Sequence, residues 1–142
     1  MSELLTTARP YAKALFKSAK EQNLIDEYFE MLNNLLTVVS DKDVSKILSN
    51  DSHDGKYKSS LLTDILKKNT NEHFNRFINL LIDNNRIDVV HEIKGLYDIF
   101  LQEEKNQKTA VIDTAFELNN DQVAEIKKAL EKRFDKKIEI KQ

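Results

Sequence analysis

Two glycines and one proline in 142 residues leave this chain few ways to turn. Sheet-rich folds need frequent tight turns, and glycine and proline supply many of them. The scarcity favours long helices with short polar connections, a mainly α fold. Hydrophobic residues make up 40% of the chain, enough to bury a core, and charged residues 32%, enough to solvate the surface. Such a composition does not predict disorder.

Helical spacing of apolar residues marks six segments. The first spans about residues 2–21 through Leu4, Leu5, Ala8, Tyr11, Ala12, Leu15, Phe16 and Ala19. Pro10 lacks an N–H and crowds the carbonyl four residues back, which predicts a kink or a frayed first turn. The second spans about 24–39. The short third, with Val44, Ile47 and Leu48, has Ser40 or Asp41 as its expected N-cap. The fourth covers about 56–68. The fifth, from Phe74 to Ile82, is capped by Thr70 or Asn71. The sixth runs from about Ile87 to Glu104, and Gly95 within it suggests a close crossing with another helix.

Beyond "EEKNQ" the pattern changes. Residues 108–115, "KTAVIDTA", are rich in β-branched residues and alternate, so they read as a strand. Val123, Ile126 and Leu130 describe a helix to about Phe134, and Ile138 and Ile140 alternate with charges in a second strand. The expected layout is a six-helix bundle over residues 1–105 and a small, incomplete strand–helix–strand domain over 106–142. Two strands and one helix leave open edges, and the chain ends inside a strand, which suggests truncation.

Reactive chemistry has no foothold in this pattern. There is no cysteine, and no glycine-rich phosphate loop. His53, His73 and His91 lack paired-ligand spacing and read as exposed or structural. Carboxylates lie beside lysines on polar helix faces. No catalytic, cofactor or metal site is expected. The formal charge of −2 predicts no general pull on nucleic acid, and Lys67-Lys68, Lys127-Lys128 and Lys136-Lys137 read as solvated faces. No signal peptide and no run of about 20 apolar residues is visible, so direct membrane insertion is not expected.

The stretch "TARPYAKALFKSA", residues 7–19, has too wide an apolar arc. On a wheel of 100° per residue, Leu4, Ala8, Ala12, Leu15 and Ala19 fall on one flank of Tyr11. Thr7, Ala14 and Ser18 fall on the other. The low-polarity arc exceeds half the circumference, whereas an ordinary surface helix needs a stripe of somewhat more than about 100°. The fifth segment shows the same excess, with Phe77 and Leu80 widening a face of Phe74, Ile78, Leu81 and Ile82. Either both helices are buried all round, or they share a groove that takes a partner helix.

"ARPYAKALF" resembles the N-terminal signature of the delta subunit of F-type ATP synthase, the family of the mitochondrial oligomycin-sensitivity-conferring protein. "FINLLIDNNRIDVVHEI" and "TAVIDTAFELNNDQVAEIKKALEKRFDKKIEIK" resemble two further blocks of that family, in the same order. The resemblance implies a six-helix bundle with a small α/β domain, no catalysis, and a peripheral-stalk role. It implies that the N-terminal helix of an α subunit binds between the first and fifth helices. Tyr11, Ala14 and Ser18 would line that groove with Ile78 and Ile82, and the C-terminal part would meet the b-subunit stalk. Family members usually continue through a glycine-containing strand pair that this chain lacks. The missing transit peptide points to a bacterial subunit, peripheral on the cytoplasmic face of the membrane. An all-helical RNA-binding regulator is the alternative from a different class.

Overall fold

A computed structural model describes residues 3–116, together with Glu125, Lys128 and Ala129. Helices α1 (Glu3–Glu21), α2 (Ile25–Ser40), α3 (Lys42–Ser49), α4 (Gly55–Leu66) and α5 (Glu72–Asp83) follow one another. A single 3₁₀ turn, Ile87–Val89, then leads into α6 (Val90–Phe116). No strand occurs among the described residues. Packing divides the chain after Asp98 into two units, Met1–Asp98 and Ile99–Gln142.

Polar side chains set the helix starts in the first unit. Asp41 caps α3 by accepting from the N–H groups of Asp43 at 3.1 Å and Val44 at 3.2 Å. Asp54 caps α4 through Tyr57 N–H at 2.8 Å, and Asn71 caps α5 through Phe74 N–H at 2.8 Å. Each bond satisfies a donor that the helix itself cannot. α1 runs unbroken through Pro10. Thr6 and Pro10 lie on the exposed side, where water can serve the carbonyl that proline leaves unpaired, while Ala8 and Ala12 on the opposite side are fully buried.

The core of this unit gathers one stripe from each helix. Ala8, Ala12, Leu15 and Ala19 come from α1, and Tyr28, Leu32 and Leu35 from α2. Leu62, Phe74, Ile78, Leu81 and Ile93 are fully buried against them, each contributing about 1.5–3 kcal/mol of apolar burial. Tyr97 packs edge-on to Phe16 at 5.3 Å and stacks with Phe29 at 6.3 Å. Its hydroxyl donates to the Ile25 carbonyl at 2.6 Å, fixing α6 to the first residue of α2. Burial pushes the Tyr97 phenol well above the ordinary tyrosine range, and the Asp26 carboxylate adds to it.

Two expectations are corrected here. Gly95 marks no close crossing: it is exposed, and a Cβ built there meets nothing within 4 Å among the described residues. Residues 108–115 form no strand, because α6 continues to Phe116. In the second unit Leu101, Glu104, Lys108 and Ile112 are buried at helical spacing. Two of those four positions are charged, and Lys108 Nζ lies 3.9 Å from Glu104 Oε2, so the stripe is invisible to a count of apolar residues. β-branching costs a helix only some tenths of a kcal/mol per residue, and extending a formed helix needs no new nucleus. Thr109 adds a side-chain bond to the Lys105 carbonyl at 3.0 Å. The strand expected around Ile138 lies outside the described residues, as does most of the helix expected over 123–134.

Candidate functional site: the seam between α1 and α5

Two helix ends in the first unit are built the same way. After α1, Asn23 adopts φ 59°. Its N–H donates to the Lys20 carbonyl at 3.2 Å, and Leu24 N–H reaches back to the Ala19 carbonyl at 2.8 Å. After α5, Asn85 adopts φ 56°. Its N–H donates to the Ile82 carbonyl at 3.0 Å, and Arg86 N–H to the Leu81 carbonyl at 2.7 Å. Both are paired-bond terminations in which a left-handed residue closes the helix, and asparagine tolerates that conformation better than most residues.

Each termination fixes the backbone beside an amide side chain that bonds to a tyrosine hydroxyl. Gln22 donates to the Ser18 hydroxyl at 2.8 Å and accepts from the Tyr28 hydroxyl at 3.0 Å. That hydroxyl also lies 3.5 Å from Oδ1 of Asn71, the cap of α5. At the other end, Nδ2 of Asn84 donates to the Tyr11 hydroxyl at 3.0 Å. The start of α5 is thus linked through Tyr28 to the end of α1, and the end of α5 is bonded to the middle of α1. The two helices thus run in opposite senses, bridged directly at Asn84–Tyr11 and through Tyr28 of α2 at the other end, and this bridged span is the seam.

The five residues expected to line a groove differ in exposure. Ala14 is exposed, and Tyr11, Ser18 and Ile82 are half-buried. Ile78 is 0% exposed and belongs to the core. The Ile82 Cγ2 methyl also faces the first residue of α4, 3.5 Å from where a Gly55 Cβ would stand. Leu80 is 45% exposed, whereas Phe77, which also widened the α5 face, is buried. Asn84 and Gln22 carry no apolar signal and escape a periodicity argument. Their only trace in the sequence is the asparagine that follows each at a helix end.

Among the described residues, no cluster of reactive side chains lies near the seam. No group of three metal-binding side chains exists among the described residues. His53 stacks on Tyr57 at 4.7 Å, and His73 is exposed. His91 borders a separate cleft of about 390 Å³ with Leu48, Ile87 and Asp88. The histidines do not converge. The exposed Arg76–Glu72 pair at 2.8 Å spans one turn of α5 and adds little to stability. No described helix is long and apolar enough to cross a membrane.

Residues 7–142 match the ATP synthase delta (OSCP) subunit family. The chain is 31% identical over 140 residues to the ATP synthase subunit delta of Chromobacterium violaceum, an alignment covering 99% of this chain and 79% of that one. Over the same shares of each chain it is 32% identical to the subunit delta of Marinobacter nauticus and 35% to that of Acinetobacter baumannii strain SDF. The match extends through the bundle and the seam, and the chain belongs to the ATP synthase delta (OSCP) subunit family.

Proposed function

We propose that the seam between α1 and α5 receives the N-terminal helix of an α subunit. The chain is a non-catalytic, peripheral-stalk subunit of an F-type ATP synthase, by membership of its family. In that setting the work is mechanical. The rotating central shaft exerts torque on the catalytic head, and the head must be held against the membrane sector for coupling to succeed. Such a joint needs a low off-rate and stiffness, which packing supplies without a reactive group.

One observation carries the reading. α1 and α5 are bridged through Tyr28 at the start of α5 and by Asn84 at its end, and Ala14 is exposed while Tyr11, Ser18 and Ile82 are half-buried. A small residue flanked by partly exposed larger ones admits the close approach of a helix. Ile78 is fully buried and presents no surface to a partner. Burial by a docked helix contributes roughly 25 cal/mol per Å² of apolar area, less the cost of ordering the partner. Residues 1–105 are the head-binding part of this reading. Residues 106–142 belong to the part that meets the b-subunit stalk, at the cytoplasmic face of the membrane.

Calorimetric titration with a peptide copying the N-terminal helix of a matching α subunit tests this directly. Saturable one-to-one binding is expected, and Ala14→Glu abolishes it without unfolding the bundle. Binding that survives Ala14→Glu places the joint elsewhere.

A further inference from the structure

We infer that Asn84 is a positioning residue for the α1–α5 joint, holding the Tyr11 ring in the orientation that a docked helix meets. The inference rests on the reading of the seam given above.

Tyr11 is half-buried on α1, so its ring has room to swing toward solvent. Its hydroxyl accepts from Asn84 Nδ2 at 3.0 Å. Asn84 has little freedom to follow such a swing. Its own N–H is bonded to the Leu80 carbonyl at 3.0 Å, and the two residues after it are tied back to Ile82 and Leu81. The backbone that carries the amide is therefore anchored by bonds that do not involve α1. Asn84 itself is exposed, so its hydrogen bond is not needed to satisfy a buried group. What the bond does is fix an aromatic wall, and a wall that is already fixed spares the docking step the ordering of a free ring.

A double-mutant cycle read by peptide titration tests this. Asn84→Ala and Tyr11→Phe are each expected to weaken binding of the α-subunit peptide about three- to tenfold, the range of a modest net hydrogen bond. The double variant is expected to bind no more weakly than the weaker of the two singles. Asn84→Asp is expected to recover most of the loss, because its carboxylate accepts from the Tyr11 hydroxyl. Losses that multiply in the double variant overturn the inference, since Asn84 then acts independently of Tyr11. Unchanged binding in both singles overturns it as well while leaving the groove intact. Tyr11→Phe leaves the end of α5 untouched, so a folding defect in Asn84→Ala does not block the test. No binding by the unmodified chain removes the groove reading itself.

Discussion

The two asparagine-terminated corners of the first unit share a backbone design and differ in what surrounds them. At the end of α1 the pinned amide of Gln22 meets the hydroxyl of Tyr28, which is 0% exposed. At the end of α5 the pinned amide of Asn84 meets the hydroxyl of Tyr11, which stands half in solvent. Tyr28 also packs edge-on against Phe74 at 5.8 Å and lies within reach of the α5 cap. The inner corner holds three helices together. The outer corner joins two and leaves one face open. One local device thus occurs in two settings, dry at the Tyr28 corner and wet at the Tyr11 corner.

Substitutions at the two corners break or sharpen this contrast. The largest expected effect is Tyr28→Phe, which removes the hydroxyl that donates to Gln22 Oε1 at 3.0 Å and lies 3.5 Å from the α5 cap. A loss of about 1–3 kcal/mol is expected, because one hydroxyl serves both Gln22 and Asn71, read as a lower denaturation midpoint. Asn23→Ala and Asn85→Ala should each cost about 1–2 kcal/mol, because alanine pays the left-handed penalty in full. The two losses should be alike, since the backbone design is the same; a large disparity in chemical denaturation breaks the comparison. Gly95→Ala, at an exposed site away from both corners, sets the scale in the opposite direction. It should stabilise by about 0.8–1 kcal/mol, visible as a higher melting temperature. Tyr11→Phe is expected to be the smallest, within about 0.5 kcal/mol of stability, although it weakens peptide binding.

Much of this was legible because helices announce themselves by spacing. The stripes through Leu15, Leu32, Leu62 and Ile93 repeat at three and four residues, and Asp41 and Asn71 cap where short polar side chains belong. The continuation of α6 was hidden because its buried stripe passes through Glu104 and Lys108, whose mutual charge compensation takes positions that apolar residues usually hold. Gly95 misled because a missing side chain looks the same whether it makes room for a neighbour or faces open space. The wide arcs of α1 and α5 mark two helices that the Asn84–Tyr11 bond joins. They did not separate Ile78, at the core, from Ile82, at the surface, because adjacent turns of one stripe differ only in what packs over them. Asn84 had no periodic signal at all, since its role depends on where α5 ends in space.

The central claim is best tested by amide chemical-shift mapping of the isotope-labelled chain during titration with the α-subunit helix peptide. The account predicts perturbations concentrated on α1 from Thr7 to Ser18 and on α5 from Asn75 to Asn84, with the cleft around Leu48 and His91 silent. Perturbations centred on that cleft, with the α1–α5 seam unchanged, would contradict it.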